Sequence, residues 1–371
     1  MGKSGAWIEV DLQRAERNFR ALRSFIPREV KLCAVVKNDG YGMGLERIGP
    51  LYDRLGAQWF AVASPGEALR LGQALPGRDI LILGGAEAEE LEQVLREGIS
   101  MTVYDGEQAA AISRMAAELG RPAKIQLKVD TGLRRLGLEP NAKGLAEAMG
   151  ILRLPGLLLT GIYTHFANAG DSAFTRLQIE RFRYFLDELA SAGIKAPLVH
   201  ASSSRALADY PEYHFDMVRP GLLLTGFHYF GRQLPEGLEL TPCVGVKSRL
   251  LQVKRIAPGE SVGYGGSFTA KEETLVGTLP LGYGQGLSRA FANRIYCLCQ
   301  GQPCRQIGNI SMNHCMVELN KAPEARAGEE VTLFGLGDDG ALTIADGAKI
   351  RDSNIEETLA AFIGKLPVSY C

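Results

Sequence analysis

Lys37 stands at the end of an apolar run, Leu32-Cys33-Ala34-Val35-Val36, and is followed at once by Asn38-Asp39-Gly40-Tyr41-Gly42. A lysine closing a core strand is either a paired structural charge or an amine held for carbonyl chemistry, since lysine is rarely buried without a partner. Other chemistry-bearing residues recur in the same setting: Lys128, Asp130 and Arg135 after one apolar run, His165 after the next, Ser202 to Ser204 after another, and Arg219 after the last. Lysine, histidine, two arginines and a hydroxyl run suit an anionic, carbonyl-bearing ligand. Arginine pairs with oxyanions, and hydroxyls and backbone amides cradle phosphate. Pyridoxal phosphate is such a ligand.

Those residues need a scaffold that delivers them to one place, and the rhythm of the chain supplies it. Candidate strands run over 31–36, 59–63, 79–83, 99–103, 124–129, 158–163, 197–200 and 216–218. Between them lie stretches with apolar residues three and four apart, such as Leu12, Ala15, Phe19 and Leu22, or Phe174, Leu177, Phe182 and Phe185. Eight such units predict a (β/α)8 TIM-type barrel, an α/β fold whose active sites lie at the C-terminal ends of the strands. All the residues named above fall at such ends. Beyond about residue 236 the rhythm changes to short β-branched segments, 245–256, 274–279, 295–298, 316–319 and 330–334, which predict a mostly β C-terminal domain. The expected division is a barrel over 11–235 and a β domain over 236–371, joined by an N-terminal strand at 1–10. The second domain carries Gly263-Tyr264-Gly265 and Gly282-Tyr283-Gly284, two tyrosines flanked by glycines.

Composition narrows the partner. The 371 residues carry a net charge of -1 with 22% charged side chains, which leaves neither a basic stripe for nucleic acid nor an acidic tail. No apolar stretch is long enough to span a bilayer, and Met1 to Trp7 lacks the apolar core of a signal peptide, so a cytoplasmic protein acting on a small molecule is expected. Seven cysteines, an odd number, predict reduced thiols rather than a disulfide framework. Cys297, Cys299 and Cys304 lack the paired two-residue spacing of a zinc knuckle, so no metal is expected.

Taken together, these blocks resemble the alanine racemase family of fold-type III pyridoxal phosphate enzymes. The resemblance rests on Ala34-Val35-Val36-Lys37 with Tyr41-Gly42, on Lys128-Val129-Asp130-Thr131-Gly132 with Arg135-Leu136-Gly137, and on Thr164-His165-Phe166-Ala167. Val218-Arg219-Pro220-Gly221, Val262-Gly263-Tyr264-Gly265, Leu281-Gly282-Tyr283 and Ile310-Ser311-Met312 follow in the family's order. It implies a two-base amino-acid racemase with alanine as first substrate. Lys37 would carry the cofactor and serve one face of the α-carbon; Tyr264, helped by His165 and Arg219, would serve the other. Tyr41, Ser204 and the amides of Gly221 and Leu222 match phosphate-binding positions. Arg219 would face the pyridine nitrogen, Arg135 the cofactor's phenolic oxygen and the substrate carboxylate, and Tyr283 and Met312 the substrate. Lys128 matches a lysine that many members carbamylate. The resemblance also implies a homodimer whose subunits share active sites, and a role in supplying D-alanine for peptidoglycan.

The chain departs from the family at several points. Asn38-Asp39-Gly40, Arg134, Ser203 and Gln285 are substitutions that remove no base, whereas Asn309, Asn313 and Asp352 alter the charge of the substrate entrance. Where the family has a C-terminal phosphate-binding tyrosine, this chain offers Asn354, Ile355 or Glu356. That loss predicts room for a larger side chain, with serine or a basic amino acid as alternative substrates. A non-catalytic pyridoxal phosphate carrier would lack the β domain, and a decarboxylase would place an acidic residue where Arg219 stands.

Overall fold

The computed structural model describes residues 5–229 and 233–371. Met1 to Ser4, part of the expected N-terminal strand, lie outside the described residues. Strand β1 (Ala6–Val10) precedes eight parallel strands: β2 (Lys31–Val35), β3 (Trp59–Val62), β4 (Asp79–Ile82), β5 (Ser100–Val103), β6 (Ala123–Lys128), β7 (Leu157–Tyr163), β8 (Val199–Ser203) and β9 (Met217–Arg219). They pair in sequence order, and β9 pairs back onto β2 to close the barrel.

Side-chain alternation along these strands separates two environments. Leu32 and Ala34 of β2 pack outward into the main core, whereas Cys33 and Val35 face inward to a small cluster with Trp59, Leu81 and Met217. On β6 the outward Ile125 and Leu127 join the main core, and the alternate positions carry Gln126 and Lys128. Helices return the chain between strands. Asp11 caps Leu12–Phe25 by accepting from the Arg14 amide at 2.9 Å, and Ala15, Phe19 and Leu22 bury the face that the spacing predicts. In the helix Ser172–Ser191 the pattern fails at one position: Leu177 is exposed and Gln178 is buried. The Gln178 amide explains the exchange, accepting from the Ala167 amide and donating to Thr131 Oγ1, each at 3.1 Å, so it ties two barrel-mouth loops together.

A nine-stranded sheet forms the second domain, in the order Gln252–Ile256, Thr274–Leu279, Cys315–Glu318, Gln302–Ile307, Tyr296–Cys299, Glu330–Phe334, Val244–Arg249, β1 and Val368–Tyr370. Strand β1 runs antiparallel to Val244–Arg249 and parallel to Val368–Tyr370. The segment expected as one strand, 245–256, is two strands broken at Leu250 and Leu251, because the buried Leu250 turns inward. Cys297 and Cys304 face one another across neighbouring strands, and both are buried thiols. Among the described residues no helix is long and apolar enough to cross a membrane.

Candidate active site

A cavity of about 350 Å³ opens at the C-terminal mouth of the barrel. Lys37, Tyr41, Lys128, Arg135, His165, Ser204, Arg219, Gly221 and Leu222 all border it, and so do Tyr163, Tyr229 and Glu356. The lysine is delivered there by an unusual backbone. From Asn38 to Tyr41 four consecutive residues have positive φ (50°, 54°, 65° and 56°), a left-handed turn that begins directly after Lys37. Asparagine, aspartate and glycine tolerate that region best, which gives the Asn-Asp-Gly departure a conformational reason. Glu67 holds the turn against the barrel, accepting from the Asp39 and Ala63 amides, each at 3.0 Å. At Gly221 a Cβ would lie 2.4 Å from the Tyr41 hydroxyl, so only glycine lets the phenol reach this wall. Ser204 Oγ accepts from the Gly221 amide at 2.9 Å and the Leu223 amide at 3.3 Å.

Arg219, the last residue of β9, is buried among neutral acceptors. Its Nη2 donates to the Thr164 and Ala201 carbonyls at 2.8 and 3.0 Å, and its Nη1 donates to His200 Nδ1 at 2.5 Å. Because a guanidinium can only donate, His200 carries its proton on Nε2 and gives it to Gln126 Oε1 at 2.8 Å. Tyr163 stacks on His200 at 4.8 Å and bonds Thr102 Oγ1 at 2.9 Å. This polar chain across the barrel interior was not anticipated from the sequence. The inward parity of Gln126, Lys128 and His200 with Arg219 was the available signal.

The site is strongly cationic. Burial, then Arg219 and Arg135, bring Lys128 down to about 7, with Asp130 opposing. Lys37 is lowered by burial and by Arg135, against the pull of Glu356 and Glu67. His165 is held well below its ordinary value by burial and by Arg219, and is neutral at physiological pH. Burial brings Arg219 itself down to about 10. Glu356 is the one carboxylate among the described residues bordering the cavity. An excess of positive charge, the hydroxyls of Tyr41, Tyr163, Ser203, Ser204 and Tyr229, and a backbone cradle that admits only glycine fit a phosphorylated carbonyl ligand, with Lys37 as an amine able to meet its aldehyde.

Several expected residues lie elsewhere. Asp130 serves the loop, accepting from the Gly132 and Arg134 amides at 2.9 and 3.0 Å. Ser202 and Ser203 belong to β8 rather than following it; Ser203 borders the cavity, whereas Ser202 Oγ turns away to the Tyr213 carbonyl at 2.7 Å. Tyr264, Tyr283 and Met312 do not border the Lys37 cavity. They project from the β domain with 78%, 42% and 56% of their surface exposed. The Tyr283 amide donates to the Ser311 carbonyl at 3.1 Å and the Gly284 amide to the Met312 carbonyl at 2.7 Å, so these two turns are one unit. Asn309 Nδ2 donates to the Tyr264 carbonyl at 2.7 Å and braces its loop. Asn354 caps the helix Ile355–Ala360, Ile355 is buried, and Glu356 alone of the three reaches the cavity.

Residues 10–228 match the family described as "Alanine racemase, N-terminal domain" and residues 243–370 that described as "Alanine racemase, C-terminal domain". The chain belongs to the alanine racemase family. The alanine racemase of Symbiobacterium thermophilum is 35% identical over 372 residues, covering 100% of this chain and 98% of its own length. That of Desulforamulus reducens is 35% identical over 336 residues, 90% of each chain. Among solved structures, the alanine racemase of Clostridium difficile 630 superposes with a TM-score of 0.94 at 30% identity, covering 100% of this chain and 97% of that one. The Bacillus anthracis alanine racemase with bound L-Ala-P gives a TM-score of 0.93 at 25% identity, over 100% and 96% of the two chains. As a family member, the chain is an isomerase.

Proposed function

We propose that this racemase interconverts L- and D-alanine with pyridoxal phosphate held in the Lys37 cavity. The observation that carries this reading is the convergence of Lys37, Arg135, Arg219, Tyr41 and Ser204 on one cavity of a chain in this family. Tyr41, Ser204 and the Gly221 and Leu222 amides take the phosphate. Arg219, fixed by His200 and two carbonyls, would face the ring nitrogen and disfavour its protonation. Bound there, the cofactor supplies the electron sink that makes the α-proton of an attached amino acid labile. Arg135 orients the substrate carboxylate. Lys37 removes or returns the proton on one face, and Tyr264 of a second copy does so on the other. The large exposure of Tyr264, Tyr283 and Met312, away from the Lys37 cavity, supports a homodimer in which each copy completes the other's site. A neutral Lys128 amine is ready to take up carbon dioxide, and the resulting carbamate anion would face Arg135 and Arg219. We place the enzyme in the cytoplasm, supplying D-alanine for cell-wall peptidoglycan.

Glu356 favours a second reading, in which the carboxylate admits an amino acid with a basic side chain. Both readings are tested by incubating the cofactor-loaded protein in heavy water with L- and D-alanine, serine, lysine, arginine and glutamate, then resolving the enantiomers. The expected result is racemisation of alanine with uptake of one α-deuterium; racemisation of another amino acid but not alanine refutes the assignment.

A further inference from the structure

We propose that Tyr229 is a phosphate-binding residue of this cavity, delivering its hydroxyl from the loop after β9, and that Glu356 competes with phosphate for that hydroxyl. The inference rests on the cofactor reading above. Tyr229 borders the cavity with Tyr41, Ser204 and Gly221, is close enough to Tyr41 to raise its ionisation, and lines a second, smaller pocket together with Ser204. Its hydroxyl donates to Glu356 Oε1 at 3.3 Å, a long bond that a better acceptor can take over. The ring is held from its other side, where the Arg205 guanidinium sits 5.6 Å from the ring centroid and is itself paired with Asp209 at 3.4 Å. Arg205 belongs to the helix that Ser204 begins, so the same element presents a phosphate hydroxyl and braces the phenol. Burial and the neighbouring carboxylate raise the Tyr229 ionisation, so the group is a donor at neutral pH, as an anion requires.

A phenol has one proton to give. An ionised Glu356 therefore competes with phosphate for it and adds a like charge beside the phosphate, so removing the phenol and removing the carboxylate shift cofactor affinity in opposite directions. A pair serving only to hold the fold would weaken binding whichever member was changed. The test uses the full-length protein freed of cofactor, titrated with pyridoxal phosphate and, separately, with pyridoxal, following the absorbance of the bound ligand. Tyr229→Phe should weaken pyridoxal phosphate about tenfold while leaving pyridoxal within about twofold, and Glu356→Gln should tighten pyridoxal phosphate. Equal loss for both ligands in Tyr229→Phe, or no loss, overturns the proposal; so does weaker binding in Glu356→Gln, whose sign decides the matter if Tyr229→Phe does not fold. Failure of the unaltered protein to bind pyridoxal phosphate would overturn the cofactor reading and this proposal with it.

Discussion

Lys37 and Tyr264, the two proposed bases, do not meet within one chain, which makes a complementation experiment decisive. Lys37→Ala removes the amine in the barrel cavity, and Tyr264→Phe removes the hydroxyl of the exposed turn on the β domain. In the proposed homodimer each variant alone carries one lesion in both sites, so both should be inactive. In a heterodimer of the two variants, one site pairs an intact Lys37 with an intact Tyr264 and the other carries both lesions. Tyr264 is 78% exposed and does not border the cavity of its own chain, so on the proposed arrangement the intact site is built across the interface. With one good site in two, the heterodimer should turn over alanine at about half the wild-type rate per dimer, as two-fold symmetry requires. Co-expression with two different affinity tags and tandem purification isolates it, and chiral chromatography reads the rate. A heterodimer no more active than either parent would refute shared sites.

Three further outcomes follow from particular contacts. Arg134 holds a left-handed conformation at φ 58° where the family pattern has glycine, and its side chain makes only an exposed 3.6 Å pairing with Glu139; Arg134→Gly should stabilise the protein by up to about 1 kcal/mol in urea unfolding. Glu67→Ala strips the acceptor from two backbone amides beside the lysine turn and should cost about 2 kcal/mol by the same assay, with weaker cofactor binding. Lys128 has a folded pKa of about 7 against 10.5 unperturbed. The unfolded chain therefore binds more protons across that window, and stability should rise with pH from about 7 towards 10.5. Lys128→Met should flatten that rise, and an unchanged slope would contradict the burial argument.

What the sequence made legible depended on periodicity and on local backbone demand. The barrel strands declared themselves as short apolar runs, and Gly40 and Gly42 marked a turn after Lys37, whereas its left-handed run from Asn38 to Tyr41 came only with the structure. Contacts between distant residues left no local trace. Glu67 reads as an ordinary first-turn acid of a helix, and Tyr229 as a loop aromatic; only the closed barrel puts one on the Asp39 amide and the other beside Glu356. Leu177 and Gln178 show the same limit from the other side, since amphipathic spacing favours the leucine as the buried residue and a pair of loop hydrogen bonds reverses the choice. Strand Gln302–Ile307 escaped notice because Pro303 argues against a strand, and its exposed position in the sheet is what permits it.

Strand β1 lies between Val244–Arg249 and Val368–Tyr370, and its neighbour Asp11 bonds the Cys243 carbonyl. During synthesis this early segment has no partner strand until residue 249 has left the ribosome, and its second edge stays open until residue 370 follows. The barrel can condense first, because each of its strands pairs with the next to be made, but the nine-stranded sheet is not complete until translation has passed both domains. Such distant pairing slows folding and leaves an apolar edge open in the nascent chain. The covering of β1 is therefore timed by Val368–Tyr370, and shortening the chain before Val368 should trap an intact barrel that depends on chaperones and aggregates without them.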